Sequence, residues 1–412
     1  MLVTGSEILL GMTQDRNSGW LGRELEVLGV ELRRVVTVGD EQAAIEDGLR
    51  SLAGCDLIMT SGGLGPTHDD RTVAAVAAVA GVQLALHEPT LQIIDERTSD
   101  FARQRGRDPA TYREGNRKQA MVPEGCEILE PVGTAPGVVV EWGGSVVVVL
   151  PGPPSELAAM WQTVPARSAV ARVLARAGRM ERRTLRVYGT SESAVANAFR
   201  EAGGDGAGTL TTICAHRLEI EVTIRADAAA LAAADALAES MASRLAPAVY
   251  ARDERPLEVH LLEALRARGW RVATAESCTA GLVAARITEI PGSSDTLVGG
   301  VVAYANDIKR ELLDVPASLL EAHGAVSAEC AEAMAQGARR RLGTEAAVAV
   351  TGIAGPGGGT PEKPVGLVYF HVSTPAGERA HSHVFPPRRE TVREWASTVA
   401  LQLLRIEATR AA

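Results

Sequence analysis

Apolar residues along the first part of the chain fall into two alternating patterns, short continuous runs and runs spaced three or four residues apart. The spaced runs predict a helix that Asn17 caps and that ends at Gly29, and a second helix over residues 41–52. The continuous runs predict strands over residues 30–38, 56–60 and 145–150. Strands that alternate with helices in this way are typical of the α/β fold class with a largely parallel sheet.

The pattern changes twice farther along the chain, and these changes predict three domains. After the first α/β domain comes a small α+β domain with strands at residues 184–188 and 218–225. A second α/β pattern then starts with a helix at residues 257–268 and a strand at residues 271–275. The predicted domains cover residues 1–165, 166–250 and 255–412, and the charged, proline-bearing residues 251–256 form a linker.

Composition and charge exclude several classes of protein. The 412 residues are 46% apolar and 23% charged, which is typical of a folded globular protein. A net charge of −9 without a basic block argues against bulk nucleic-acid binding, and the longest apolar stretch, residues 73–86, is shorter than the ~20 residues of a membrane span. Five scattered cysteines without a CxxC pair, and a first segment unlike a secretion leader, predict a cytoplasmic protein without disulfides or structural zinc.

Lysine supplies only three of the 42 basic residues, namely Lys118, Lys309 and Lys363, and the rest are arginine. Because arginine cannot lose its proton in a protein, a retained lysine indicates a position where a compact or deprotonatable amine is needed. Chance retention is the alternative for any one of the three. Lys363, which lies between two prolines, is interpreted as a loop anchor.

The first candidate site lies in the segment TSGGLGPTHDDRT, residues 60–72, between an apolar strand and an alanine-rich helix. Glycines at the carboxyl end of a strand let backbone N–H groups approach a ligand, and the N-terminus of the next helix favours anions. Gly62, Gly63 and Gly65 are therefore candidate phosphate-binding residues, with an ordinary turn as the alternative. Loops at residues 5–7, 133–137 and 150–154 are predicted to meet at the same edge of the sheet.

Two acids follow these glycines. Asp69 and Asp70 would place carboxylates beside a bound phosphate, an arrangement that makes sense if a divalent cation such as Mg²⁺ bridges them. Both are therefore candidate metal ligands. The adjacent His68 is interpreted as a structural hydrogen-bond donor.

The second candidate site is Ser277, directly after the strand at residues 271–275. A helix is predicted to begin there, which would place the serine hydroxyl and neighbouring N–H groups at the positive end of a helix dipole; a simple helix cap is the alternative. Lys309, predicted at the end of another apolar strand, would supply a desolvated amine that removes the serine proton. Cys278 is a rival nucleophile, but no histidine lies in either motif, so it is interpreted as a small buried residue.

Four segments, GSEILLG, TSGGLGPTHDD, GNRKQA and LPGPPSE, closely resemble the N-terminal domain of the competence/damage-inducible protein A (CinA) family, which is related to molybdopterin-binding domains. The resemblance implies metal-dependent hydrolysis of the pyrophosphate bond of ADP-ribose. It makes the three glycines phosphate ligands, Asp70 the main catalytic or metal-associated acid and Lys118 a cation that neutralises phosphate; Asn116 falls in a matching motif. The family has more residues before the glycine that corresponds to Gly5, so most of the first strand is expected to be missing.

Four later segments, AESCTAG, YANDIK, HGAVS and TGIAGPGGG, resemble the CinA C-terminal domain, whose stand-alone relatives are nicotinamide-nucleotide amidohydrolases. The resemblance implies hydrolysis of the carboxamide of nicotinamide mononucleotide to the nicotinate nucleotide and ammonia, without a cofactor. It assigns Ser277 as the nucleophile, Lys309 as the base and Tyr304 as a proton-sharing partner.

The same resemblance implies residues that bind this substrate. Thr351 and the backbone at Gly352 would position it, and Arg389 would hold its 5′-phosphate, with Arg393 as the weaker candidate. Ala280 stands where the family commonly has glycine, and its methyl group is expected to tighten the pocket.

Together these observations predict a two-site hydrolase of pyridine nucleotides. Its expected partners are the small nucleotides ADP-ribose and nicotinamide mononucleotide and a second copy of the chain, as a homodimer in which the middle domain mediates contact. A non-enzymatic interaction protein of DNA uptake or repair and a molybdopterin-binding protein are the alternatives.

Overall fold

The computed structural model describes residues 1–178, 180–206 and 208–410, and it divides into two compact units, Met1–Glu181 and Arg182–Ala412. Helices pack against sheets in both units, which confirms the predicted α/β fold class. The helix Ser168–Leu174 belongs to the first unit, since its Val170 and Val173 lie in that unit's core. No helix in the described part of the chain has the length and apolarity that a bilayer crossing requires.

The described part of the first unit contains eight strands and eight helices. The strands are β1 (Leu2–Thr4), β2 (Val36–Val38), β3 (Leu57–Ser61), β4 (Leu84–Leu86), β5 (Met121–Pro123), β6 (Glu127–Leu129), β7 (Gly137–Trp142) and β8 (Ser145–Leu150). The helices are α1 (Ser6–Leu9), α2 (Asn17–Val27), α3 (Gln42–Ser51), α4 (Thr72–Ala80), α5 (Glu88–Gln104), α6 (Arg113–Gln119), α7 (Pro154–Trp161) and α8 (Ser168–Leu174).

The main sheet of this unit has the strand order β2-β1-β3-β8-β7-β6. Strands β2, β1, β3 and β8 are parallel, whereas β7 and β6 add antiparallel edges. All six residues of β8 are buried, because helices cover both faces of the sheet and leave a core on each side. The carboxyl ends of β1, β3 and β8 therefore lie side by side at one edge.

The first two strands of the chain are both only three residues long. Strand β1 has only three residues, yet it pairs with β2 on one side and with β3 on the other. The strand predicted over residues 30–38 is observed only over Val36–Val38, because its neighbour β1 offers three residues for pairing. Just before the paired residues of β1 and β2, the amino group of Met1 donates to the carbonyl of Arg34.

The second unit contains two sheets. The first combines β9 (Glu181–Tyr188), β10 (Thr209–His216), β11 (Glu219–Ala226) and β12 (Val249–Ala251) with helices α9 (Glu192–Glu201) and α10 (Leu231–Leu245). The second combines β13 (Val272–Glu276), β14 (Leu297–Val302), β15 (Ala346–Gly352), β16 (Leu367–Thr374) and β17 (Gly377–Val384) with α11 (Leu257–Arg268), α12 (Leu282–Thr288), α13 (Asn306–Leu313), α14 (Ala317–His323), α15 (Ala328–Leu342) and α16 (Arg389–Thr409).

The four-stranded sheet has the order β10-β11-β9-β12. Two of its strands, β9 and β11, lie where the apolar pattern predicts them, whereas β10 and β12 were missed. Strand β10 is a largely exposed edge strand rich in threonine, so it lacks the apolar alternation that would identify it.

The five-stranded sheet has the order β14-β13-β15-β16-β17, in which β14, β13 and β15 are parallel. Strands β13 and β15 are almost entirely buried between helices. Their carboxyl ends lead into the loops that contain Ser277 and Thr351, and these loops carry the second candidate site.

Candidate functional sites

The first site is an open cleft of about 790 Å³ at the carboxyl ends of β1, β3 and β8. The predicted glycines form part of its wall, and the structure explains why two of them must be glycine. A Cβ on Gly62 would lie 2.5 Å from the carbonyl oxygen of Thr4, and a Cβ on Gly63 would lie 2.1 Å from the hydroxyl of Thr72. Both also have positive φ, +100° and +67°. The loop therefore has backbone where other residues would place a side chain.

The two predicted acids converge on one hydroxyl group. Asp70 Oδ2 accepts hydrogen bonds from Thr67 N at 2.9 Å and from Thr67 Oγ1 at 2.5 Å, and Asp69 Oδ1 also accepts from Thr67 Oγ1. The Thr67 contact is the main reason that the pKa of Asp69 lies below its usual value. Lys118 Nζ donates to the Thr67 carbonyl, and partial burial lowers its pKa against the opposing effect of the acids. Carboxylates and a cation thus share one short loop.

This donor set fits a divalent cation that a substrate helps to bind. Within the described residues, no three acidic, histidine or cysteine side chains form a ligand set for a metal. Mg²⁺ is, however, usually held by one or two carboxylates together with substrate phosphates and water. Asp69, Asp70 and the Thr67 hydroxyl are hard oxygen ligands, and a hydroxyl has only one proton to share between two carboxylates. The loop therefore suits a shared ion rather than an all-protein cage.

Other predicted residues of this unit have structural contacts. Asn116 is buried and its amide donates to Asp95 Oδ1 and Thr98 Oγ1, both at 2.7 Å, so it ties α6 to α5. The side chain of His68 is exposed. The Asp70 carboxylate packs against the backbone of Gly65, since a Cβ on Gly65 would lie 2.4 Å from Asp70 Oδ2.

The prediction that Asn17 caps helix α2 is wrong, because its side chain makes no capping hydrogen bond. Helix α2 begins at this residue, and the carboxylate of Asp15 accepts from the first backbone N–H groups, including that of Asn17 at 2.9 Å. The buried amide of Asn17 instead donates to Ser61 Oγ and to the Gly152 carbonyl, both at 2.7 Å. It therefore joins the ends of β3 and β8 beneath the cleft.

The cleft has further acids beyond the pair after the glycines. Glu7 on α1 and Glu156 on α7 belong to segments that the sequence already placed at this edge, whereas Asp15 and Asp40 lie on loops that no motif indicated. Burial raises the pKa of Glu156 above its usual value. They lie on segments far apart in sequence, so no single motif contains them.

The second site centres on a serine and a buried lysine. Lys309 Nζ lies 3.2 Å from Ser277 Oγ and donates to the carbonyls of Ala303 at 2.7 Å and Tyr304 at 3.4 Å. The lysine side chain is 1% exposed although its contacts are neutral oxygens. Burial is the main cause that lowers its pKa. Lys309 lies within α13, so the prediction that it lies at the end of a strand is wrong.

The prediction that a helix begins at Ser277 is wrong. Helix α12 begins at Leu282, and the intervening turn includes Ala280 at φ +52°. The carboxylate of Glu276, 1% exposed, accepts from the N–H groups of Val283 at 3.0 Å and Ala284 at 2.9 Å. Because Glu276 occupies the first donors of α12, the helix dipole argument for an oxyanion site at Ser277 does not hold.

The predicted substrate residues meet the dyad in one cavity of about 210 Å³. Its lining includes Ser277, Lys309, Tyr304, Thr351, Gly352 and Arg389. The Tyr304 hydroxyl accepts from Arg389 Nη2 at 3.0 Å, so the phenol is held by Arg389 and not by the dyad. Arg389 Nη1 also donates to the Gly355 carbonyl, and Thr351 donates to the Ala325 carbonyl at 2.7 Å.

The remaining predicted neighbours act around this cavity. Arg393 donates to the Thr279 carbonyl at 3.1 Å and thereby holds the turn after Ser277. Burial raises the pKa of Cys278 to about 12, so its thiol stays protonated at neutral pH. Lys363 donates to the carbonyls of His323 and Val326, both at 2.7 Å, which confirms its interpretation as a loop anchor. Ala280 is exposed, and the expectation that it narrows the pocket is wrong.

Comparison with known proteins gives matches to both halves of the chain. Residues 1–168 match the model of a probable molybdopterin binding domain, and residues 254–408 match the CinA C-terminal domain. The chain is 47% identical to a CinA-like protein of Mycolicibacterium paratuberculosis, with 98% of this chain and 97% of that protein covered. It is 44% identical to a CinA-like protein of Mycobacterium tuberculosis, with coverage of 98% and 96%.

A solved structure is also similar over part of the chain. The competence/damage inducible protein CihA from Agrobacterium tumefaciens is 42% identical, with 37% of this chain and 94% of that chain covered and a TM-score of 0.36. The names of these relatives state a family and no reaction.

Proposed function

This chain belongs to the CinA family, and we propose that its second site hydrolyses the carboxamide of nicotinamide mononucleotide to give nicotinate mononucleotide and ammonia. The observation that carries this proposal is the buried Lys309 amine 3.2 Å from Ser277 Oγ, with neutral oxygens as its other contacts. A lysine in such surroundings loses its proton more readily than a free lysine, and its neutral amine is then a base for serine.

The reaction follows from this pair. The neutral Lys309 amine takes the Ser277 proton as Oγ attacks the carboxamide carbon, which forms a tetrahedral intermediate. The protonated lysine returns that proton to the leaving nitrogen, and ammonia departs to leave an ester on Ser277. A water molecule, deprotonated by the same amine, then cleaves the ester, and the serine recovers its proton. General-base assistance of this kind contributes about 10²–10⁴-fold in rate.

The rest of the cavity would bind the nucleotide. Arg389 would pair with the 5′-phosphate, because a guanidinium group offers two donors in the geometry of a phosphate. Its contact with the exposed Tyr304 hydroxyl fixes the guanidinium at the cavity's rim. Thr351 would act by fixing the carbonyl of Ala325, which also lines the cavity.

For the first site we propose hydrolysis of the pyrophosphate bond of ADP-ribose to AMP and ribose 5-phosphate. Asp69 and Asp70 would hold a divalent cation such as Mg²⁺, and Lys118 would neutralise phosphate charge. A bound cation of this kind polarises phosphoryl oxygens and lowers the pKa of attacking water. The glycine loop would place backbone N–H groups against the phosphates.

A second candidate for the first site is the binding of molybdopterin, which the family match over residues 1–168 favours. Both ligands carry phosphate, so the glycine loop alone does not separate them. A competition experiment separates the two ligands. Added molybdopterin should inhibit ADP-ribose hydrolysis if it binds the cleft, and should leave the hydrolysis unchanged if it does not.

Two product assays test the proposed function. The full chain is incubated with nicotinamide mononucleotide, and ammonia release is followed; in a separate reaction it receives ADP-ribose with and without Mg²⁺, and AMP is measured. Ammonia without added metal, and AMP only with metal, are the expected results. Absence of both products from a folded sample would favour a non-enzymatic role. Light scattering of the same sample tests the expected homodimer.

A further inference from the structure

A second, larger cavity of about 1000 Å³ lies in the first unit and is not explained by the chemistry of the cleft. Helices α5 and α6 form two of its walls, together with the turn Pro109–Tyr112 and the loop at residues 132–134. Its lining includes two aromatic rings, those of Phe101 and Tyr112. A cavity of this size has room for a nucleoside.

The cavity shares a wall with the loop that carries the two acids. Pro66, Gln119 and Thr134 line both the cavity and the cleft. An added Cβ on Gly115 would lie 2.6 Å from Pro66 Cβ, so α6 packs directly on this loop. The cavity and the cleft therefore adjoin at these three residues, and a ligand that crosses this boundary would have groups in both.

Helix α6 is fastened to the loop by two side chains. Lys118 donates to the Thr67 carbonyl, and Gln119 Nε2 donates to the Leu64 carbonyl at 3.0 Å. Lys118 also lines the cavity, so its charge faces the end nearest the acids. A phosphorylated ligand would accordingly lie with its phosphates at this end.

The opposite part of the cavity is aromatic. The chain has only four phenylalanines and five tyrosines, and one of each lies here. Phe101 is 41% exposed, and its ring meets that of Tyr112 edge to face with centroids 6.4 Å apart. Arg105 stacks 4.4 Å above the Phe101 ring. An exposed aromatic pair with a guanidinium group beside it is the type of surface on which nucleic-acid bases stack.

The third side of the cavity is a loop that Arg97 holds in place. Arg97 Nη1 donates to three successive carbonyls, those of Pro131, Val132 and Gly133, at 2.5, 2.7 and 2.7 Å. The guanidinium group keeps its positive charge in these contacts, since the acceptors are neutral. The lining of the cavity therefore combines the cations Lys118 and Arg97 with the rings of Phe101 and Tyr112.

From this arrangement we propose that the second cavity binds the adenine base of ADP-ribose while its pyrophosphate lies on the glycine loop. The inference rests on the proposed hydrolysis of ADP-ribose and names a subsite for it. Phe101 and Tyr112 provide the stacking surface, and Lys118 lies between base and pyrophosphate. The ribose 5-phosphate half of the substrate would lie outside this cavity.

The test measures the binding of the two product halves to the full chain by calorimetry with Mg²⁺ present. Base stacking on an aromatic side chain is worth about 1–3 kcal/mol by alanine substitution, which corresponds to roughly 5- to 150-fold in affinity. Phe101→Ala and Tyr112→Ala should each weaken AMP binding by at least about fivefold and leave ribose 5-phosphate binding within about twofold. Val27→Ala, at an exposed apolar residue that lines neither the cleft nor this cavity, is the control and should change neither affinity.

The outcomes separate this proposal from the proposed hydrolysis. Unchanged AMP affinity in both aromatic variants, or equal loss of AMP and ribose 5-phosphate, would overturn the subsite even if the parent hydrolyses ADP-ribose. AMP binding that the variants lose, in a parent without hydrolysis, would keep the subsite and overturn the reaction. A parent that does not bind AMP at all overturns the subsite. Thermal melting identifies any variant that has lost its fold, and Phe101→Leu, which keeps bulk without a ring, then replaces Phe101→Ala.

Discussion

The two sites of this chain differ in how completely the protein builds them. At the second site, a buried amine, a hydroxyl and an arginine face a small cavity, and each is held by contacts within the protein. At the first site, several carboxylates and a glycine loop line an open cleft more than three times larger. Burial can shift the reactivity of a side chain, whereas the acids of an open cleft need a cation and a ligand to act together.

The difference also concerns the charge that each site tolerates. Lys309 is buried without a carboxylate among its hydrogen-bond partners, and burial lowers the pKa of its amine. Asp69 and Asp70 lie together near Lys118, and the contact with Thr67 holds the pKa of Asp69 below its usual value. The surroundings of Lys309 suit proton transfer, and the acidic loop of the first site suits the binding of a cation together with phosphates.

The largest expected effect comes from Lys309→Arg. Arginine keeps the positive charge but cannot become a neutral base, so ammonia release from nicotinamide mononucleotide should fall by about 10²–10⁴-fold. ADP-ribose hydrolysis should be unchanged. Arg310→Lys, at an exposed residue of the same helix, is the matched control and should keep parental turnover. Near-parental activity of Lys309→Arg would show that the lysine is not the base. Retained activity of Ser277→Ala would show that the serine and lysine pair does not catalyse the reaction.

Asp70→Asn should have the next largest effect. The asparagine side chain has nearly the same shape and can still accept the Thr67 N–H, but it lacks the charge that a cation requires. Hydrolysis of ADP-ribose should fall by about 100-fold, a typical consequence of losing a group that stabilises charge in a transition state. Ammonia release should stay parental, and Asp47→Asn on an exposed helix face is the control. Equal loss of both activities in a folded variant would show that the sites are not independent.

Glu276→Ala tests whether the second site depends on its internal supports. The change leaves two N–H groups of α12 without their carboxylate and should lower the free energy of unfolding by about 3 kcal/mol. Glu276→Gln keeps one acceptor oxygen and should lose about half as much. Urea denaturation measures both. Equal stability of the alanine variant and the parent would contradict the proposed support of the turn that follows Ser277.

The pH dependence of stability gives a smaller effect with a definite sign. Burial lowers the pKa of Lys309 in the folded state from its usual 10.5, so between the folded pKa and 10.5 the unfolded chain binds more protons. Stability should therefore rise with pH through this window, by at most about 1.4 kcal/mol per pH unit. Lys309→Met should abolish this part of the rise. Parallel curves for parent and variant between about pH 7 and pH 10 would show that the amine is not perturbed.

The smallest effect is expected from Ala280→Gly. Ala280 has a left-handed backbone at φ +52°, which costs a residue with a Cβ about 1 kcal/mol, so glycine should stabilise the chain by up to that amount. The same substitution at the exposed helical residue Ala285 should destabilise by about 0.5–1 kcal/mol. Thermal unfolding of the two variants measures whether their stabilities change in opposite directions. Ammonia release should not change, because Ala280 does not line the cavity.

The sequence by itself determined the α/β class and the residues of both motifs. Buried strands such as β8 and β15 have continuous apolar runs, and the ends of such strands mark where ligand-binding loops meet. The scarcity of lysine also indicated Lys309 before any distance was known.

Only the tertiary structure decided how these residues are used. The capping of α12 by Glu276, the contact of Tyr304 with Arg389 and the burial of Lys309 involve residues that are brought together by folding. The same is true of the acids Asp15 and Asp40, which reach the first cleft from loops that no motif indicated. Periodicity reports which face of an element is apolar, but it carries no information about which polar groups meet across the sheet edge. Their distances and desolvation, which set the chemistry, exist only in the folded chain.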